Sequence, residues 1–135
     1  MSGERSTTKP HVGLAAIALA FDAILVVVFA AIGRGSHARA ATIAGLFETA
    51  WPFLAGLAIT WVVALVWRSP LAIFRAGVPV WIGTVALGML FRMLSGQGTA
   101  LPFVIVATLT LALMLIGWRA IVAIVSKLRK RQQSA

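Results

Sequence analysis

From Thr49 to Trp67 the chain runs nineteen residues without a charge, and from Ala100 to Trp118 it does so again. A helix rising about 1.5 Å per residue needs roughly 20 apolar residues, with a floor near 17, to cross the ~30 Å hydrocarbon core of a bilayer. Both runs therefore read as spans. Val12 to Ile32 is as long but holds Asp22 near its centre, and Ala76 to Phe91 reaches full length near Leu94 if Arg92 snorkels to the interface. The last run continues through Arg119 to Val125. Composition agrees: 61% of the residues are apolar and 11% charged, against about 45–50% and 25% in soluble domains. So few charges cannot cover a water-soluble globule of this size. The expected fold is an all-α integral membrane protein, four transmembrane helices in a compact antiparallel bundle. Its spans are expected at 12–32, 49–67, 76–94 and 100–125, between an N-terminal tail at 1–11 and a basic C-terminal tail at 126–135.

Turn-forming residues punctuate the runs. Gly33-Arg34-Gly35-Ser36 closes the first helix, and Arg68-Ser69-Pro70 closes the second, because the residue before a proline disfavours helical backbone. Pro52 and Pro79 are expected in first turns, where a missing N–H costs little. Ser95-Gly96-Gln97-Gly98-Thr99 makes a tight connector. With four spans, Arg5, Lys9, Arg68, Arg75, Lys127, Arg129, Lys130 and Arg131 share one side, against Arg34, Arg39 and Arg92 on the other. The positive-inside bias then puts both termini in the cytoplasm of a plasma-membrane protein. Trp51, Trp67, Trp81 and Trp118 fall near span ends, as an aromatic belt requires, and Trp61 alone lies deep. Ala38-Arg39-Ala40 has the form of a signal-peptidase site, but the preceding run is longer than the 7–15 residues of a signal core and carries an acid, so a retained span is expected.

The net charge of +9 would suggest nucleic acid in a soluble protein. Here the cations flank apolar runs, where they set topology and meet anionic headgroups. No aromatics interleave with them for base stacking, and no nucleic-acid partner is expected. Cysteine is absent. His11 and His37 are separated by the first span, so no metal, haem or other cofactor is expected. Asp22, Glu48 and His37 share no position from which acid–base chemistry could be run, and the Gly-x-Gly pieces lack a nucleotide-fold context. The chain is not expected to be an enzyme.

Asp22 is the most informative residue. A central Asp costs about 2.5–3.5 kcal/mol on insertion scales, so it must face protein or water. Two partners are open: a threonine (Thr60, Thr84 or Thr108) with the acid protonated, or Arg119 with the acid charged, the long side chain bridging the difference in depth. Thr84, Gly88 and Arg92 recur at four-residue spacing, Gly56, Thr60 and Ala64 do the same on the second helix, and Thr108, Ala112 and Arg119 share a face of the fourth. Small residues beside polar ones mark helix-packing faces, so Gly56, Thr60, Thr84 and Gly88 are the expected packing positions and the bundle is expected to hold a partly polar seam. Arg34, His37 and Arg92 are expected to form one polar cluster at the outer mouth, partly neutralised by Glu48.

Five ordered strings carry a family likeness: Gly33-Arg34-x-Ser36-His37, Thr49-Ala50-Trp51-Pro52-Phe53, Gly88-Met89-x-x-Arg92, Gly96-Gln97-Gly98-Thr99 and Gly117-Trp118-Arg119. Together with Asp22 they resemble a family of small, largely actinobacterial membrane proteins known as domain of unknown function 3054, over about residues 13–125. The resemblance implies a four-helix membrane protein and no activity. It implies a candidate functional set of Asp22, Arg34, His37, Arg92, Gln97, Thr99 and Arg119, with Trp51 and Pro52 in the same strings.

Two functions fit these features. The first is permeation or transport of a proton, ion or small polar solute through the seam, in an oligomer because four short helices enclose little space. The alternative is a non-catalytic accessory subunit or assembly factor of a larger membrane complex, with Asp22 and the glycine stripes docking a partner helix.

Overall fold

All four helices are apolar around most of their circumference, so small and polar residues mark the faces turned inward. A computed structural model describes residues 12–35 and 42–133. It contains α1 (Val12–Gly35), α2 (Ile43–Val63), α3 (Val78–Leu94) and α4 (Leu101–Gln133), with a 3₁₀ turn at Val66–Arg68 and a π turn at Ile73–Gly77 between α2 and α3. The four stretches long and apolar enough to cross a bilayer are Val12–Arg34, Ile43–Val63, Ile73–Leu94 and Leu101–Gln133. No strand occurs among the described residues. Ile43, Val63 and Leu113 are more than three-quarters exposed, a surface suited to hydrocarbon and not to water. The protein is an antiparallel four-helix membrane bundle.

Helix ends follow caps more closely than charges. The second helix starts at Ile43, before the expected 49, because the Thr42 hydroxyl accepts from Gly45 N at 3.0 Å and caps it. Glu48 therefore lies on the helix, exposed, and not in a loop. That extension places Pro52 inside α2 and not in its first turn. The same helix stops at Val63, well before Arg68-Ser69-Pro70, where Leu65 turns left-handed (φ 53°). By itself α3 has 17 residues, short for a span, and the π turn lengthens it to 22. At its far end Gly96 takes φ +77°, Gly96 N donates to Met93 O at 3.2 Å and Gln97 N to Arg92 O at 2.9 Å, the paired bonds that close a helix on a left-handed glycine. Helix α4 continues past the expected 125 to Gln133, so the basic segment from Lys127 is helical and exposed.

The tightest packing joins α2 to α3. A Cβ on Gly56 would lie 3.0 Å from Leu87 Cβ and 3.1 Å from Gly88 N. One on Gly83 would strike Thr60, and one on Gly88 the ring of Phe53. Inward stripes on the outer helices step by four: Ala18, Asp22, Val26 and Ala30 on α1, and Ala107, Leu111, Leu115 and Arg119 on α4. Thr108 lies beside that second stripe and bonds Val104 O of its own helix at 2.7 Å.

Candidate functional site

Asp22 and Arg119 are both fully buried and form a salt bridge in which Arg119 Nη2 donates to Asp22 Oδ2 and Nη1 to Oδ1, each at 2.8 Å. Of the two partners open to Asp22 it is the arginine that meets it. The remaining acceptor capacity of the carboxylate goes to two indoles: Trp118 Nε1 donates to Oδ1 at 2.9 Å and Trp61 Nε1 to Oδ2 at 3.0 Å. Four donors thus fill the roughly four lone-pair positions of an ionised carboxylate. The guanidinium is nearly as complete, with Nε donating to Pro70 O at 2.8 Å and Nη1 also to Leu115 O at 2.9 Å. Its carbon lies 4.6 Å from the Trp118 ring centroid, and Phe21 stacks on that indole at 5.3 Å.

Each element supplies a part. The four-residue stripe of α1 carries the acid and that of α4 the base. Trp61 comes from the last turn of α2. The segment after α2 folds inward, burying Val66 and aiming the Pro70 carbonyl at Arg119. The π turn sets Gly77 beside the arginine, where a Cβ would lie 3.2 Å from Arg119 Cδ. A charge pair in a low-dielectric interior is tolerable only when geometry and hydrogen bonding are this complete. Trp61, Trp118, Pro70 and Gly77 were not among the sequence candidates. The signal for Trp61 was its depth, which is out of place in a belt residue.

Arg92 makes a second polar site at the opposite end. Its Nη1 donates to Gln97 Oε1 at 3.1 Å and its Nε to Gly98 O at 3.2 Å, and its guanidinium carbon stands 4.2 Å from the Phe103 centroid. Gln97 Nε2 donates to Glu48 O at 3.0 Å. That carbonyl is the one that Pro52, having no N–H, leaves without its partner four residues along the helix. The glutamine of the α3–α4 connector therefore repairs the gap made by the proline of α2. A freed backbone group within a membrane must find such a partner. Glu48 contributes here through its backbone.

Arg34 reaches α2 at the next residue, donating to Thr49 Oγ1 at 3.0 Å. The expected cluster of Arg34, His37 and Arg92 falls partly outside the described residues, with His37. Within the described part Arg34 directly, and Arg92 through Gln97, meet adjacent residues of α2, Thr49 and Glu48. Thr99 is half-buried and makes no side-chain hydrogen bond among them. Of the expected polar seam, Thr60 and Thr84 are buried with Asp22 and Arg119, but apolar packing separates the two polar sites. Between the two sites lie Val26, Leu57 and Leu111, all buried, and the ring cluster of Phe29, Phe53 and Phe103 with centroids 5.3–6.3 Å apart. Thr60 turns to Gly56 O of its own helix at 2.8 Å, and Thr84 Oγ1 is buried without a hydrogen-bond partner among the described residues.

The arrangement defines a class: a small multi-pass membrane protein whose ionic groups are sealed at one end of the bundle and latched at the other. The chain belongs to the family described as protein of unknown function (DUF3054), whose model matches residues 19–122. That match covers α2 and α3 whole and runs from before Asp22 to beyond Arg119. Comparisons with curated proteins and with solved structures find no match.

Proposed function

We propose that the chain is a non-catalytic accessory subunit or assembly factor of a larger complex in the plasma membrane, with both termini in the cytoplasm. The observation that carries this reading is the layer of Val26, Phe29, Phe53, Leu57 and Leu111 between the two polar sites, broken among the described residues only by the buried hydroxyl of Thr84, which gives a proton or solute no continuous polar route through one bundle. Permeation would need a path between copies. An intramembrane ion pair whose groups are already satisfied is better suited to fixing a shape than to passing a charge. The segment for a partner to grip is the end of α4. Beyond Arg119, its last buried residue, the helix runs on to Gln133, about 20 Å at the helical rise. Lys127, Arg129, Lys130 and Arg131 give that end a strong positive charge suited to an acidic partner surface.

Purification from native membranes in mild detergent, with copurifying proteins identified by mass spectrometry, tests this. A stoichiometric larger partner is expected with the natural chain. It should be lost when those four basic residues are changed to glutamine, while the bundle keeps its thermal stability. A homo-oligomer alone, whose reconstituted vesicles carry a proton or solute flux, would overturn the accessory reading in favour of permeation.

A further inference from the structure

A groove of about 490 Å³ runs between α2 and α3 on the outside of the bundle, lined by Ile59, Val63, Ala64, Pro79, Ile82 and Gly83 among others. Its surface is carbon almost throughout. The one hydroxyl in the lining, that of Thr60, already donates to Gly56 O. Ile59, Val63 and Ile82 on its lips are 42%, 77% and 54% exposed, so it opens towards lipid. From Val78 to Leu87 the groove follows α3 for about 13 Å at the helical rise, close to half of the ~30 Å hydrocarbon core. That is the depth of a single leaflet.

Both strands of the chain that leave the groove's shallow end carry an exposed arginine: Arg68 four residues after Ala64, and Arg75 three residues before Val78. Trp67, 44% exposed, sits next to Arg68 as a side chain suited to the headgroup level, and Phe74, 82% exposed, sits next to Arg75 and suits the hydrocarbon below it. No acid competes for these arginines among the described residues, since Asp22 is sealed in its salt bridge and Glu48 lies at the opposite end of α2. An apolar channel one leaflet deep beneath two cations matches an acyl chain beneath an anionic headgroup.

We propose that this groove binds one acyl chain of an anionic phospholipid, with the lipid phosphate held by Arg68 and Arg75. A second copy of the chain fits less well. A two-fold dimer across this face would set each copy's arginines against the other's at the same depth, and like charges so opposed are unfavourable. The lipid site does not depend on the accessory role proposed above.

The test is native mass spectrometry and thermal melting of the purified protein with added dioleoyl phosphatidylglycerol or dioleoyl phosphatidylcholine. The natural chain should retain phosphatidylglycerol preferentially and melt higher with it. The Arg68→Gln/Arg75→Gln variant should lose the preference by roughly 30-fold, which corresponds to about 1 kcal/mol for each arginine near the surface, yet still bind phosphatidylcholine. Ile82→Trp, an exposed change that fills the groove, should reduce retention of both lipids. Each variant's helical circular dichroism checks that it has folded. An undiminished preference in the arginine variant, or undiminished retention of both lipids in Ile82→Trp, overturns the proposal. So does efficient disulfide crosslinking between copies carrying Val63→Cys in native membranes, which would assign the groove to a second copy.

Discussion

Replacing Asp22 by leucine removes the counter-charge of Arg119 and strands a guanidinium with 0% exposure. Breaking a buried pair from one side costs about 3–5 kcal/mol, or roughly two to three and a half orders of magnitude in the folded ratio. Asparagine, although the same size, should not be tolerated much better. Each carboxylate oxygen accepts one Arg119 N–H and one indole N–H, so whichever oxygen becomes an amide NH₂ faces two donors with a third. Loss of stability in Asp22→Asn would therefore say nothing about proton transfer. The informative variant is the pair Asp22→Leu/Arg119→Met, which removes both charges together and leaves side chains of similar bulk. It should recover at least about 2 kcal/mol relative to the sum of the single changes, since contacting residues couple by about 0.5–3 kcal/mol. Unfolding in mixed micelles titrated with sodium dodecyl sulfate, followed by far-ultraviolet circular dichroism, measures the cycle. A coupling below about 0.5 kcal/mol, or an Asp22→Asn variant as stable as the natural chain, would refute the reasoning.

Two further outcomes follow from the packing. Gln97→Ala should cost about 1–3 kcal/mol by leaving Glu48 O unsatisfied, and much less in a Pro52→Ala background, where residue 52 regains the N–H for that carbonyl; equal costs in both backgrounds by the same titration would break the proposed link. Gly56→Ala should destabilise by about 1–3 kcal/mol because its Cβ meets Leu87 and the α3 backbone, whereas Gly117→Ala, with nothing within 4 Å of its Cβ, should be neutral or gain up to about 1 kcal/mol of helix propensity; thermal melting of the two variants checks the order.

Hydropathy reveals the four helices because the bilayer demands length and apolarity, and both are written in composition. Helix ends are legible only through their caps. The charge of Glu48 suggests a boundary for the second span, but the cap is Thr42, and an exposed glutamate on the second turn of a helix costs nothing that would move the boundary. The error carried over to Pro52. Placed in a first turn it looks harmless, whereas inside α2 it leaves a bare carbonyl and so requires Gln97. The oddities themselves were all visible: an acid in a span, a deep tryptophan, a proline in a span, a glutamine in a tight connector. What the linear chain conceals is that they answer one another across long separations, Asp22 with Trp61 and Arg119 and Pro52 with Gln97 through the carbonyl of Glu48. A hydrocarbon surround offers no water to satisfy a stray polar group, so each such group must be matched by another at a compatible depth. Matching by depth, with the reach of a long side chain included, brings Asp22 to Arg119 but says nothing of the two indoles. Their place depends on how α1, α2 and α4 are rotated about their own axes: the sequence marks Gly56 and Gly88 as packing positions, but that fixes only α2 against α3, and the rotation of α1 and α4 is displayed only by the packed bundle.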